Sequence, residues 1–478
     1  MIAIENQTFP AALWLADSKG DFKRDGVTGV ASFDTKSGID LDVPLGSISQ
    51  DDTPGILVNG HREYPRLFGL GQNFDHITLV DTFGSGGFSA PGFPHESWHA
   101  QGAIVSRESF FEEDPLVSQA NVVVDGLFEW CQQNPVRNVC HYKDSEWLGT
   151  EISASSEALE DVLLYENGAM KVYLSPVVTM GGGELPLKVQ SLKSDYHLMF
   201  RFEGDLPTLS QAVDDCIVPF RDFLSLLMGF RAEILSVLLT VSGLKRPVKI
   251  YVPFVESYRD TLPKHAFRRM PLAYPKVEGR IQSMVEKWLA LSDDARRSAS
   301  ILLGFLANER NVYLDSKFIA AASAFEALSR VGHDQNDMPS EKFEQYMAVV
   351  EKEITTKHVR KWAQQKLKYS NRSSASKLAH IMLEELEPFS SFVVPDGSRF
   401  EWNHRDARNA YVHQNDNLDN GTALTGKDLH AHTEAVLLLV WGKLLSLLGV
   451  DPQELVDSLK DSSFHWNDLH RAQSMYKV

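Results

Sequence analysis

The run Arg399-Phe400-Glu401-Trp402-Asn403-His404-Arg405-Asp406-Ala407-Arg408-Asn409-Ala410-Tyr411-Val412-His413 decides how this chain is read. Its last six residues unite a fixed cation, a polar amide and a titratable imidazole, groups able to cut a phosphodiester without a metal. Spacing alone says little. Arg and His separated by four or five residues recur at Arg259 and His265, at Arg399 and His404, and at Arg408 and His413. Context separates the three. Pro263 interrupts the first and removes a backbone donor, so that segment reads as a strand exit or loop. Ser398 followed three residues later by Glu401 reads as a capping box, which starts a helix with Arg399 in its first turn. That helix is expected to run to His413, where the polar stretch Gln414-Asn415-Asp416-Asn417 stops it.

Asn409 and His413 lie four apart and share a helix face, and Arg408 is long enough to fold round to the same cavity. In the last turn the helix dipole favours the protonated imidazole, which suits His413 to acid–base work near neutral pH. Arg408 keeps its charge and can fork onto phosphate oxygens. The bland alternative is that Arg and His simply cap a surface helix.

Composition sets outer bounds. A chain of 478 residues exceeds one ordinary core, so two or three domains are expected. Hydrophobic content of 43% and charged content of 23% are globular values. Met1-Ile2-Ala3-Ile4-Glu5 has neither the basic region nor the apolar core of a signal peptide. The apolar stretch Ala435 to Val450 is interrupted by Lys443 and is too short to span a bilayer, so no membrane partner is expected. Three cysteines argue against a disulfide framework and fit a reducing cytoplasm. Cys131, Cys140 and His141 match no structural zinc spacing, and neither metal nor cofactor is expected.

The net charge of −17 excludes broad attraction to a polyanion, so any RNA site must be local. Lys357, Arg360, Lys361, Lys366, Lys368, Arg372 and Lys377 form a run without Asp or Glu, interleaved with Trp362 and Tyr369 as stacking surfaces. The first six cations are the candidate RNA contacts; the competing reading is a solvated helix face.

Texture changes near residue 270. Residues 1–270 read as a β-rich α+β half, with one domain or two left open. Strands are expected at Gly26 to Phe33, Ile39 to Leu45, Gly55 to Val58, Ile77 to Thr82, Met170 to Leu174, Tyr196 to Phe202 and Val248 to Phe254. Helices are expected at Asn121 to Gln132 and Leu209 to Met228. The glycine-containing stretches Phe83 to Gly87 and Met180 to Glu184 lack phosphate-cradle patterns and read as turns or loops. Residues 271–478 read as an all-helical bundle, with helices over Val277 to Leu291, Asp294 to Asn308, Leu314 to Arg330 and Ser340 to Ile354. Further ones cover Lys357 to Lys368, Ser374 to Glu387, Arg399 to His413, Lys427 to Leu448 and Asp451 to Asp461. Leu314, Phe318, Ala321, Phe325 and Leu328 make an apolar stripe flanked by Glu326. Val436, Leu437, Val440, Leu444 and Leu447 suit a bundle core or a dimer seam.

A helical bundle whose penultimate long helix ends in Arg408-Asn409-x-x-x-His413 resembles the HEPN superfamily, whose hallmark is Arg-x(4–6)-His with a polar residue often after the Arg. Ala322-Ser323-Ala324-Phe325-Glu326-Ala327-Leu328 resembles the upstream HEPN helix that often carries an acidic residue near the active site. Gly29 to Asp34, Ile39 to Asp42, Phe68-Gly69-Leu70, Ile77 to Asp81 and Glu96 to Ala100 are similar to the N-terminal domain of ApeA-type anti-phage proteins, which precedes such a HEPN domain. The resemblance covers nearly the whole chain and weakens over residues 335–375, an insertion-like segment.

It implies a metal-independent endoribonuclease of abortive infection, with transfer RNA a plausible target and a 2′,3′-cyclic phosphate product. Arg408, Asn409, His413 and Glu326 would be its catalytic residues, in a homodimer or higher homo-oligomer. The N-terminal half would be a sensor or regulatory domain answering a phage-derived trigger. The rival is a non-catalytic HEPN-like defence sensor that binds a nucleotide or protein, in which Arg408 and His413 stabilise a dimer or hold the nucleotide.

Overall fold

The computed structural model describes residues 7–34, 38–48, 61–71, 75–89, 93–154, 160–181, 191–251, 270–307, 312–333, 336–368, 370–413, 424–462 and 466–477. They form two compact units, Met1–Phe267 with Ala273–Val285, and Arg268–Leu272 with Glu286–Val478. A β-rich α+β region is followed by a helical one, as the change in texture predicts.

Alternation builds the first unit. In β3 (Gly38–Val43), Ile39, Leu41 and Val43 are buried while Asp40 and Asp42 face solvent. With β1 (Gln7–Leu15), β2 (Val27–Asp34), β4 (His61–Leu70), β5 (His76–Ser89) and β6 (Phe93–Ser106) it closes an antiparallel ring in the order β1-β2-β3-β6-β5-β4. β6 pairs with β5 along one edge; its other edge is shared by β3 and then β14 (Val248–Tyr251). From β14 the sheet continues through β13 (Ile234–Val241), β7 (Val117–Val124), β12 (Ser191–Phe202), β11 (Met170–Gly181) and β10 (Val162–Glu166). β8 (Val136–Lys143) and β9 (Glu146–Ala154) form a separate hairpin.

Two tryptophans fill the ring. Trp14 lies directly opposite Gly69, and Trp98 opposite Gly84. A Cβ on Gly69 would come within 2.6 Å of the Trp14 ring, and one on Gly84 within 2.5 Å of Trp98. Gly84 therefore belongs to strand β5 and not to the turn or loop expected there, because glycine leaves the space in which an indole seats. The helix expected over Asn121 to Gln132 is likewise corrected. Its first residues complete β7, and only Leu127–Cys131 (α2) is helical. Asn121 and Val122 take ladder partners on both β12 and β13, and Val123 and Val124 on β13, which outweighs local preference.

Short helices α1 (Phe22–Asp25) and α3 (Leu209–Gln211) precede α4 (Val218–Met228). The expected helix over Leu209 to Met228 is present, with a π turn at Ala212–Ile217 where Pro219 would otherwise crowd the preceding turn. The strand expected at Gly55 to Val58, the end of the Val248 to Phe254 strand and the Arg259 to His265 segment lie outside the described residues.

After α5 (Tyr274–Val277), the unit boundary falls within α6 (Ile281–Leu289). Then follow α7 (Asp293–Ala307), α8 (Leu314–Ser329), α9 (Ser340–Glu353), α10 (Lys357–Leu367), α11 (Ala375–Glu385), α12 (Phe389–Val393) and α13 (Gly397–His413). The chain closes with α14 (Gly426–Leu447), α15 (Pro452–Asp461) and α16 (Trp466–Met475). α12 and α16 were not anticipated, being too short or too polar for a visible stripe.

α14 is the central helix, with Val436, Leu437, Val440 and Leu444 buried against its neighbours. Its two internal charges are paired: Lys443 Nζ lies 2.7 Å from Glu385 Oε2, and Glu434 Oε1 lies 2.7 Å from Lys317 Nζ. No helix among the described residues is long and apolar enough to cross a membrane. Residues 336–372 form an excursion closed at its neck. Asn371 donates to the Met338 carbonyl and accepts from the Met338 amide, and beyond that clamp α9 and α10 pack as a hairpin.

Candidate functional site

α13 starts two residues earlier than the capping-box reading implies. Asp396 is its cap, accepting the Arg399 amide at 2.9 Å through Oδ1 and the Phe400 amide through its carbonyl. Ser398 and Glu401 thus sit inside the helix, and Glu401 pairs with His380 Nδ1 at 3.0 Å. The far end is held by Tyr411, whose hydroxyl donates to the Leu424 carbonyl at 2.9 Å ahead of α14. Between these anchors Ala407 packs with Phe318 and Ala322 of α8 and Leu429 of α14. Small residues on both helices let α8 and α13 approach, and polar side chains then meet along their edge.

Glu326 and Arg408 meet there. Arg408 Nε donates to Glu326 Oε1 at 2.7 Å, and Nη2 reaches Oε2 at 3.5 Å. The carboxylate side chain is 11% exposed and the guanidinium side chain 25%, so the pair bridges core and surface. A second guanidinium, Arg330, approaches the same Oε2 at 3.4 Å from one turn along α8. Two guanidinium groups, one from each helix, thus converge on a single carboxylate. Arg330 was missed in the sequence reading, although its place four residues after Glu326 was the available signal.

Asn409 is half-buried beside Arg408. The backbone of α13 reaches His413, four residues from Asn409, and the imidazole of His413 lies outside the described side chains. Of the four proposed catalytic residues, the structure brings Glu326 and Arg408 into contact.

His404, the histidine that follows Arg399, is fully buried between Phe325 and Phe400. Burial pushes its pKa from 6.5 down to about 4; Glu326 opposes that shift and Arg408 adds to it. Its ring centroid stands 5.5 Å from that of His432, whose Nδ1 lies 2.6 Å from the Tyr476 hydroxyl. A neutral, aromatic-packed imidazole serves the core rather than proton transfer.

The six candidate RNA contacts distribute over α10 and its exit. Lys357, Lys361, Lys366, Lys368 and Arg372 are exposed, whereas Arg360 is half-buried and donates to the Glu351 carbonyl at 3.3 Å. At about 100° per residue, Lys357, Lys361 and Lys368 share one side of the helix, while Trp362 and Lys366 point away from it. Tyr369 lies outside the described residues. Cys131 is a buried thiol in α2, while Cys140 and His141 are exposed on β8.

A concavity not anticipated from the sequence lies on the outer face of β3, β5 and β6. It measures about 370 Å³ and includes Asp40, Asp42, Phe83 and His99. His99 Nδ1 stands 2.9 Å from Asp40 Oδ1, His95 Nε2 stands 2.7 Å from Asp42 Oδ1, and Phe83 packs on the His99 ring.

Two family models match. One described as ApeA N-terminal domain 1 covers residues 12–288, and one described as Apea-like HEPN covers residues 319–454. No curated protein and no solved structure matches the chain.

Proposed function

The chain belongs to the ApeA-type HEPN proteins, and from that premise we propose that it is a metal-independent endoribonuclease of anti-phage defence. The observation that carries the proposal is the hold of Glu326 on Arg408, inside the segment matched as HEPN and one turn from His413. A guanidinium fixed at a helix edge, partly open to solvent, is poised to receive a phosphate oxygen.

In the proposed reaction the ribose 2′-oxygen attacks its own 3′-phosphorus. The 2′-O–P bond forms, the bond from phosphorus to the 5′-oxygen breaks, and the products are a 2′,3′-cyclic phosphate and a 5′-hydroxyl. His413 moves protons, taking that of the 2′-hydroxyl or giving one to the leaving oxygen. Arg408 stabilises the charge that gathers on phosphorus-bound oxygens, and Asn409 orients phosphate or imidazole. Glu326 is a positioning residue, aiming Arg408 through its Nε edge. Since the nucleophile belongs to the substrate, two subunits carrying this motif across a shared cleft suffice for both proton transfers. Lys357, Lys361 and Lys368 offer a one-sided track for the RNA backbone, with transfer RNA as a plausible substrate. The β-rich half is proposed to sense the phage-derived trigger, a role supported by the carboxylate- and histidine-lined concavity on its ring.

The competing reading is that the Glu326–Arg408 pair only ties α8 to α13 in a nucleotide- or protein-binding sensor. Wild type and His413→Ala incubated with total RNA in EDTA, with infected-cell extract as trigger, separate the two. The expected result is cleavage ending in cyclic phosphate for wild type and a loss of about a hundredfold or more for the variant. Equal inertness of triggered wild type and variant would reject the nuclease.

A further inference from the structure

The α9–α10 hairpin presents an apolar face to solvent. Tyr346, Val349, Val359 and Trp362 are 51%, 56%, 39% and 60% exposed. Phe343, Met347 and Val350 of α9 and Ala363 and Leu367 of α10 are the apolar residues of these two helices that are buried or half-buried. Taking these as the inner face, helical periodicity puts Lys342, Tyr346, Val349 and Glu353 along one flank of α9. It puts Val359, Trp362 and Lys366 along one flank of α10. Because the helices run antiparallel, both flanks look to the same side. The cations Lys357, Lys361 and Lys368 look to the other.

This face has a charge direction. Glu353 lies at the turn end of the hairpin, and Lys342 and Lys366 lie at the neck, with Lys342 Nζ over the Tyr346 ring at 5.8 Å. We propose that the face docks a second copy of this chain, two hairpins packing antiparallel about a twofold axis. The Glu353 end of each copy then covers the Lys342 and Lys366 end of its partner, and Trp362, Val359, Tyr346 and Val349 fill the centre. A parallel stacking would set Glu353 against Glu353 and lysine against lysine. Nucleic acid suits this face less well, because a glutamate closes one end and three cations of the strip point away. The contact is independent of the chemistry assigned to Arg408 and His413.

The test reads mass rather than RNA cleavage. Full-length protein is measured by sedimentation equilibrium, with circular dichroism as a check on folding. Wild type is expected to form a dimer, and Trp362→Glu to weaken it by about tenfold or more. Glu353→Lys alone, and Lys342→Glu with Lys366→Glu alone, are each expected to be monomeric, since like charges then meet. Mixing those two folded variants is expected to restore a dimer, because every end contact becomes complementary again. A monomeric wild type, a dimer unchanged by Trp362→Glu, or a failure of the mixture to associate overturns the proposal. Loss of RNA binding in Trp362→Glu without a change in mass would instead assign the face to nucleic acid.

Discussion

Glu326 shows how one side chain ties fold to chemistry. It leaves an apolar stripe, accepts Arg408 and Arg330, and stands close enough to His404 to favour its protonation. His404 nevertheless stays neutral, because the desolvation of a fully buried imidazole outweighs one carboxylate already neutralised by arginine. The unfolded chain takes up this proton near pH 6.5, whereas the folded chain does so only near pH 4. Between those values the unfolded state binds more protons, so acid weakens the fold by about 1.4 kcal/mol per pH unit from this group. His432 shifts in the same direction for the same reason. Thermal unfolding of wild type is therefore expected to fall more steeply than that of His404→Leu as pH drops from 6.5 to 4. Parallel slopes would show that His404 is already charged in the folded chain. The burial of His404 among Phe325, Phe400 and His432 could not be read from its spacing to Arg399.

At the scale of elements, the helical half was legible because period and punctuation agree. α7, α8, α9, α10, α13, α14 and α15 lie within a few residues of their expected bounds. The cap of α13 was misplaced because Asp396 and Ser398 are both good cap residues, and only the packed backbone chooses between them. Pairing of the elements was not legible at all. Lys317 and Glu434 are 117 residues apart, yet join α8 to α14 at 2.7 Å with both side chains 6% exposed. Lys317→Met is expected to cost about 3–5 kcal/mol, because it takes the ammonium at 2.7 Å away from a buried carboxylate. Adding Glu434→Leu is expected to recover most of that loss, since no uncompensated charge is then buried. Denaturant midpoints of the three proteins check this; equal losses for single and double variants would mean that packing, not charge, is at stake.

Across the whole molecule, the charge of −17 repels RNA, and the proposed track on α10 must work against it. If Lys357, Lys361 and Lys368 each hold one phosphate, the logarithm of RNA affinity should fall with the logarithm of salt at a slope of about −2. Replacing all three with Gln should flatten that slope; an unchanged slope would move the RNA elsewhere. Composition, apolar period and turn residues determined by themselves that a β-rich half precedes a helical one, because those signals are carried by neighbours along the chain. The same locality set the bounds of most helices and the Arg408-to-His413 motif. Only the tertiary structure decided that β6 shares an edge between β3 and β14 and that tryptophans seat over Gly69 and Gly84. It alone decided that Arg408 rests on a carboxylate 82 residues upstream and that the basic run divides between two faces of a hairpin. Those outcomes depend on which distant surfaces fill each other's space and neutralise each other's charge, and local pattern holds no record of that.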